Sequence, residues 1–268
     1  MTDQQDVMAA LVAEGNEVDG LVAGLAPEQW ALPTPAPGWT IAHQIAHLTA
    51  TFRIAGMAAA QPDAFTAMLS RLSGDFNGNV EAALSEYLDD PPEVLLQRWR
   101  AERTAAVKAL VAVPSTQLVP WLVRPLPPGV LAAAGMLELF GHGQDIADAL
   151  KVRRTPTDRV GHLVGFAART WDFGYLARGL TPPDAELRFE LTAPSGRVWT
   201  FGPQDSPATV TGSAWDFCLL VSRRRHRDDL ALQATGEIAD RWLDIAQAYR
   251  GPAGPGRSPG QFAELDGR

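Results

Sequence analysis

Apolar residues recur every three or four positions through most of the first 180 residues, a spacing that predicts helices rather than strands. The first predicted helix covers about residues 4–25. Thr40 is a suitable N-cap for a second helix over about 41–60, which ends at a Gln-Pro-Asp sequence. Further helical segments are predicted as short pieces within 63–89 and as longer helices over about 91–113, 129–151 and 156–178. Helices joined by Pro-rich loops are typical of an up-and-down bundle.

The hydrophobic period changes near residue 181. Leu187, Phe189 and Leu191 alternate with Arg188 and Glu190, which predicts a half-buried strand. A Pro-Ser-Gly turn then leads to a second strand in RVWTFG, and a short third strand is predicted in ATVTG. The segments SAWDFCLLVSRRR and EIADRWLDIAQAYR are predicted as helices.

These patterns predict an α plus α+β fold class: an N-terminal up-and-down helical bundle followed by a small α+β domain. We predict that the bundle covers residues 1–180. The second domain is predicted over residues 181–268 and ends in a Gly/Pro-rich tail. A hydrophobic share of 46% in 268 residues indicates that the chain buries a substantial core.

The charge balance narrows the expected partners. A net charge of −8 argues against binding to nucleic acid or anionic membranes, because phosphate groups favour basic surfaces. The lone cysteine, Cys218, cannot form an internal disulfide, which favours a reducing cytoplasm. We see no signal peptide and no apolar run long enough to span a bilayer. We therefore expect a cytoplasmic protein with a small-molecule substrate, either a monomer or a homodimer.

Two predicted helices carry residues suited to metal binding. Glu138 and His142 are four residues apart and share a helix face, and Asp145 follows one turn later. A carboxylate and an imidazole make up half of a site for a divalent metal, so another helix must supply the rest. His43 and His47 stand one turn apart on the second predicted helix. Bundles build metal sites in this way, from side chains on facing helices.

The two motifs PGWTIAHQIAHL and ELFGHGQDIADAL resemble the DinB/YfiT-like metal-binding superfamily, and most of all its mycothiol-dependent maleylpyruvate isomerase-like branch. The resemblance implies a helical bundle with a ligand histidine eight residues after Trp39, which falls on His47. It also implies that Glu138 and His142 are the other two metal ligands. Asp145 matches a further position of the motif. It either orients His142 through the second ring nitrogen or is a solvated helix residue.

The chain departs from this family at His43. The family usually has Asp four residues after the tryptophan, so His43 is a neighbour, a fourth ligand or an acid–base group. The segment from LRFELTAPSGRVWTFG to ATVTGSAWDFCLLVSRR resembles a sterol carrier protein 2-like domain.

A local basic run, SRRRHRDD at residues 222–229, allows two interpretations. It is either a solvated helix end or an anion clamp that holds a carboxylate of the substrate or cofactor. The resemblance implies a functional arginine at the end of the corresponding helix, which falls on Arg223 or Arg224.

The predicted ligand residues limit the possible chemistry but do not identify the metal. Two histidines and one carboxylate hold Zn²⁺ with an open position, or Fe²⁺ as a facial triad. The resemblance favours Zn²⁺, with Fe²⁺ and Ni²⁺ as alternatives, and implies a low-molecular-weight thiol such as mycothiol. It thus implies a metal-dependent isomerase or S-transferase for a small anionic substrate. The alternatives are a metal-dependent hydrolase, lyase or cyclase, and a non-catalytic metal-binding protein, which a closed four-ligand site would indicate.

Overall fold

The computed structural model describes residues 4–122 and 124–266. The chain divides into two compact units, Met1–Val152 and Arg153–Arg268. This division falls before the domain boundary predicted at residue 180, because the helix predicted over 156–178 packs with elements of the second unit. The domain limits 1–180 and 181–268 therefore stay a prediction, whereas the fold class, helices followed by a small mixed α/β part, is confirmed.

The first unit is helical. Its α-helices are α1 (Gln4–Val22), α2 (Ile41–Ala60), α3 (Pro62–Leu69), α4 (Phe76–Leu88), α5 (Pro92–Ala112) and α6 (Pro128–Leu150). The bounds of the four long helices agree with the predicted ones to within about three residues, which is within the usual variation of helix ends. None of the helices in the described ranges is both long and apolar enough to cross a membrane.

The long helices pack around one core. Helix α2 packs against α5 and α6, and α1 packs against the same two helices. Gly56 permits the close contact between α2 and α5, because a Cβ atom there would lie 3.2 Å from the Cα of Ala106. The fully buried Trp99 of α5 meets Phe52 of α2 edge-on, with ring centroids 5.4 Å apart. These contacts fix α2 beside α6, the pair of helices that carries the candidate ligands.

The second unit combines short helices with a sheet. Its α-helices are α7 (Val160–Arg169), α8 (Phe173–Leu176), α9 (Ala214–Val221), α10 (Glu237–Ile245) and α11 (Ala263–Asp266). The strands are β1 (Arg188–Thr192), β2 (Val198–Phe201), β3 (Thr209–Ser213) and β4 (Leu232–Thr235), in the order β2-β1-β3-β4. Strands β1 and β3 are parallel, and the other two pairs are antiparallel.

The predicted alternation in β1 is confirmed, since Leu187, Phe189 and Leu191 are all buried. Phe189 packs against Phe217 and Trp242 to form the aromatic centre of this unit. The helices predicted in SAWDFCLLVSRRR and EIADRWLDIAQAYR end earlier than predicted, at Val221 and Ile245. Two further predictions were incomplete. The segment LQAT of β4 was not predicted as a strand, and the helix predicted over 156–178 is interrupted between α7 and α8 at Thr170.

Candidate metal centre

The three side chains assigned as ligands lie together in the first unit. His47 comes from α2, whereas Glu138 and His142 are one turn apart on α6. One ligand atom from each residue lies within 4.8 Å of the other two. The packing of α2 against α6 therefore brings together two halves of a site that are about 90 residues apart in sequence.

The distances in this group are those expected around a metal ion. The Nε2 atom of His47 lies 3.3 Å from Oε2 of Glu138, and Nε2 of His142 lies 3.4 Å from the same oxygen. Ligands about 2.0–2.1 Å from a tetrahedral zinc ion are separated by about 3.4 Å. The side chains of His47, Glu138 and His142 are 22%, 28% and 13% exposed. The group is thus partly open and suits a metal that must also meet a small molecule.

Electrostatics keep Glu138 charged. Burial raises the pKa of its carboxyl group, but hydrogen bonds and positive charge from His142 and His47 outweigh burial and hold the pKa well below its usual range. An ionised carboxylate between two imidazoles is a suitable ligand set for a divalent cation.

A hydrogen bond to Gln44 orients His142. The Nδ1 atom of His142 lies 2.5 Å from Oε1 of Gln44, a fully buried residue of α2. The Nε2 atom of Gln44 donates to Oγ1 of Thr34 at 2.8 Å. The second ring nitrogen of His142 therefore faces Gln44, in the place that the sequence motif implied for Asp145. Asp145 lies fully buried one turn further along α6, and its role towards His142 stays a prediction.

The hydrogen bond to Gln44 has a consequence for the opposite nitrogen. The carbonyl oxygen of Gln44 can only accept, so Nδ1 of His142 carries the proton of this hydrogen bond. If the ring is neutral, Nε2 is then unprotonated and its lone pair points towards Glu138. A lone pair and a carboxylate oxygen 3.4 Å apart repel each other unless a cation lies between them. That cation is either a proton on Nε2 or a metal ion. The residues present thus fit a divalent metal.

Trp39 covers the group on one side. Its ring stacks on His142 with centroids 5.8 Å apart and an interplanar angle of 19°, and lies 5.4 Å from the ring of His47. Its backbone carbonyl accepts hydrogen bonds from the backbone N–H of Thr34 at 2.8 Å and from the Thr34 hydroxyl at 2.9 Å. The Pro-rich loop before α2 is therefore tied to the start of the helix and forms one wall of the site.

His43 stands apart from this group. Its Nδ1 atom accepts a hydrogen bond from the backbone N–H of Thr40 at 3.3 Å and lies 2.8 Å from the Thr40 hydroxyl. It closes the first turn of α2 in the position that Glu or Gln fills in a capping box. Among the described residues, the group of potential ligands comprises His47, Glu138 and His142, without His43. Burial lowers the pKa of His43, so the ring favours its neutral form with the proton on Nε2.

The basic run lies in the second unit and is not part of a long helix. Helix α9 ends at Val221, and Arg223 adopts a left-handed backbone conformation with φ of 59°. An Nη atom of Arg223 donates to the carbonyl of Gly254 at 3.4 Å, and one of Arg224 donates to the carbonyl of Ser222 at 2.6 Å. The anion-clamp role of Arg223 and Arg224 stays a prediction.

Comparison with known proteins identifies the family. The family model described as the mycothiol maleylpyruvate isomerase N-terminal domain matches residues 11–147, which include all three potential ligands. The chain belongs to this family. The resemblance drawn from the two sequence motifs is thereby confirmed for the N-terminal part. The likeness of the C-terminal part to sterol carrier protein 2 stays a prediction.

Two curated relatives and two solved structures are similar to this chain. The chain is 42% identical over 257 residues to "Uncharacterized protein Rv0036c" of Mycobacterium tuberculosis (strain ATCC 25618 / H37Rv), a match covering 96% of this chain and 100% of the relative. "Uncharacterized protein MT0041" of M. tuberculosis (strain CDC 1551 / Oshkosh) matches equally well. The fold of this chain is similar to the crystal structures of the mycothiol-dependent maleylpyruvate isomerase and of a histidine-to-alanine mutant of that enzyme. These match with TM-scores of 0.60 and 0.59, 12% identity, 86% coverage of this chain and 92% of theirs.

Gln44 and Thr34 were not predicted as site residues. A sequence signal for Gln44 exists: it is an amide in the apolar stretch IAHQIAHL, three residues before His47 and so on the same side of the helix. A buried amide needs hydrogen-bond partners. Thr34 carries no comparable signal, because threonine is common in Pro-rich loops.

Proposed function

We propose that this family member is a divalent-metal-dependent, thiol-dependent isomerase or S-transferase that acts on a small anionic substrate. One observation carries the proposal: His47, Glu138 and His142 form a partly open three-residue group in the part of the chain that matches the family model. The names of the family and of the structural relatives supply the thiol, mycothiol, and the type of substrate, maleylpyruvate.

The metal would be held by Nε2 of His47, a carboxylate oxygen of Glu138 and Nε2 of His142, with Zn²⁺ as the preferred ion. When bound, such an ion supplies Lewis acidity and lowers the pKa of a thiol or water. Three protein ligands leave a position for a small molecule, whereas a structural site is closed by four. The capping role of His43 supports the open form, because its Nε2 carries a proton and cannot bind a metal in that tautomer.

The thiol would act by reversible addition. Its thiolate sulfur adds to one carbon of the electron-poor double bond, and the π electrons move to the conjugated carbonyl oxygen. Rotation about the resulting single bond and loss of the thiolate restore the double bond in the other geometry, with no net change of atoms or electrons. Protonation of the adjacent carbon instead retains the C–S bond, which gives S-transfer. Trp39 limits the access of water on its side of the group.

Three further residues have proposed roles. His43 presents an Nε2–H group that would donate a hydrogen bond to the developing oxyanion. Arg224 or Arg223 would bind a carboxylate of the substrate or thiol, and Asp145, buried one turn further along α6, would help to orient His142.

Metal analysis of the purified protein tests the ligand group. We expect about one equivalent of divalent metal in the native protein and background metal in His47→Ala, because two remaining ligands bind weakly. His226→Ala is the matched control, since His226 lies outside the group. Full metal content in a folded His47→Ala variant would contradict the three-ligand site.

An assay with mycothiol and maleylpyruvate tests the reaction. We expect isomerisation that requires both the thiol and the loaded metal, measured as a change in the ultraviolet absorbance of the substrate. S-transfer to other electron-poor acids, detected by loss of free thiol, is the other result that supports the proposal. Full metal occupancy without turnover of any thiol-dependent substrate would contradict the thiol chemistry and leave the hydrolase, lyase or cyclase alternatives.

A further inference from the structure

We propose that Gln44 is a positioning residue for the metal ligand His142, and that its own orientation is set by a hydrogen-bond chain that begins at the backbone carbonyl of Trp39. The inference rests on the proposed metal site. It adds to the site two residues, Gln44 and Thr34, that contribute no ligand.

The direction of the chain follows from its first member. The Trp39 carbonyl can only accept, so the hydroxyl of Thr34 donates its one proton to it at 2.9 Å. The Thr34 oxygen must then accept from Gln44, which requires the NH₂ group of the amide at that end. The carbonyl oxygen of Gln44 is left facing Nδ1 of His142. Each donor in the series thus meets an acceptor, and the series ends with a proton on Nδ1.

The opposite orientation of the amide is unfavourable. With the Gln44 side chain reversed, its oxygen would face the oxygen of Thr34, whose proton is donated to the Trp39 carbonyl, and its NH₂ group would require an unprotonated Nδ1 on His142. Gln44 is fully buried, so water does not compensate for the lost hydrogen bonds. The loop also holds Thr34 through its backbone, since its N–H donates to the same Trp39 carbonyl at 2.8 Å.

The chain therefore acts on the ligand in two ways. It holds the plane of the His142 ring, and it keeps the proton on Nδ1, so that Nε2 is the nitrogen presented to His47 and Glu138. A hydrogen bond to the distal nitrogen also makes a metal-binding imidazole more basic. We expect tight zinc binding to require a hydrogen-bond acceptor at position 44. This requirement distinguishes positioning of His142 from packing by a side chain of the same volume.

Zinc affinity is the first test, measured by competition with a chromophoric chelator. Gln44→Met has a similar volume but no acceptor, and we expect it to weaken zinc binding by about 10-fold to 100-fold. Gln44→Glu keeps an acceptor for Nδ1–H and should bind zinc at least as tightly as the native protein. Thr34→Val should cause a smaller loss than Gln44→Met. Thr49→Val is the matched control, because Thr49 is buried on α2 and its hydroxyl donates to the Ile45 carbonyl of the same helix at 2.7 Å.

The second test is nuclear magnetic resonance of protein labelled with ¹⁵N-histidine, with and without zinc. We expect a protected Nδ1–H signal for His142, assigned by its loss in His142→Gln. This signal should exchange faster with solvent and shift in Gln44→Met but be retained in Gln44→Glu and Thr49→Val.

The two tests distinguish failure of the positioning role from failure of the proposed metal function. An unchanged Nδ1–H signal and unchanged zinc affinity in folded Gln44→Met would overturn the positioning role. If the native protein shows the signal and its dependence on Gln44 but binds no zinc, the hydrogen-bond chain stands and the proposed metal function falls.

Discussion

The two units of the molecule use their polar residues in different ways. In the first unit, polar side chains of α2 and α6 converge on one point, where two imidazoles face one carboxylate oxygen. In the second unit, the basic run after α9 is held by local contacts. Arg225 is buried with its guanidinium 3.9 Å from the centre of the Phe262 ring, and Arg227 forms ion pairs with Asp240 and Asp244. The first arrangement is the candidate metal site, whereas the second serves the structure of its own unit.

This difference shows what makes a functional residue predictable. Residues on a regular helix have neighbours that follow from spacing alone, so a motif on α6 places Glu138 and His142 together. Residues that follow a helix end have no such rule. The turn at Arg223 redirects the run, and its contacts do not follow from spacing.

Loss of the carboxylate is expected to have the largest effect. Glu138→Gln keeps the size of the side chain but removes the charge that both imidazoles face, so we expect metal content to fall from about one equivalent to background. Elemental analysis of the purified protein measures this. Glu86→Gln is the matched control, because the carboxylate of Glu86 binds Arg53 and Arg98 on the surface. Equal metal content in the two folded variants would contradict a role of the Glu138 carboxylate in metal binding.

A core substitution in the second unit tests whether the metal centre depends on the first unit alone. Trp242 is fully buried against Phe189 and Phe217, and its Nε1 donates to the Trp171 carbonyl at 2.8 Å. We expect Trp242→Ala to lower the free energy of unfolding by about 3–5 kcal/mol, measured by chemical denaturation.

All three proposed ligands lie within Met1–Val152, so metal content should be retained in Trp242→Ala. Val198→Ala is the control, because Val198 is an exposed residue of β2 in the same unit; it should change the free energy of unfolding by about 0.5 kcal/mol or less. Loss of metal in Trp242→Ala but not in Val198→Ala would show that the centre needs the second unit.

The sequence predicted the helices of the first unit better than the details of the second. Thr40 marked the start of α2, and the three-residue ligand set came from two motifs on regular helices. Strand β4 was missed because LQAT is short and follows the irregular segment after α9. The parallel pairing of β1 with β3 could not be predicted from the sequence either, because strand register depends on packing between distant segments.

The part of the site that escaped prediction lies where loop and helix meet. Gln44 could have been noticed as a polar residue in an apolar helix, but its partner Thr34 belongs to a Pro-rich loop. The contact between them depends on how that loop folds back onto α2, where Pro33 and Thr40 pair as an isolated antiparallel bridge. Spacing within α6 likewise could not show that Nδ1 of His142 would meet a residue of another helix.

A substitution in the basic run is expected to have a smaller effect, on substrate binding alone. If Arg224 binds the substrate carboxylate, Arg224→Ala should raise KM by about tenfold or more, because a charge-assisted hydrogen bond contributes roughly 1.5–3 kcal/mol. Metal content should not change. Arg227→Ala is the matched control, since Arg227 is engaged with Asp240 and Asp244. Equal KM values for both variants would indicate that the basic run has only a structural role.

The smallest effect is expected at His43, the histidine that resembles a ligand by spacing but caps a helix. His43→Gln restores the residue type of a capping box, so the side chain can still accept from the backbone N–H of Thr40. We expect the stability change to stay below about 1 kcal/mol, the usual value of a cap, and metal content to remain at the native level.

His47→Gln is the matched comparison for this prediction, because it places the same side chain one turn further along α2 and should lose the metal. A fall in metal content in folded His43→Gln would make His43 a fourth ligand and favour a closed, structural site. Retained metal with reduced turnover would instead assign the Nε2–H group of His43 to the reaction. The two histidines of one helix, four residues apart, thus separate capping, ligation and catalysis by two measurements on the same pair of variants.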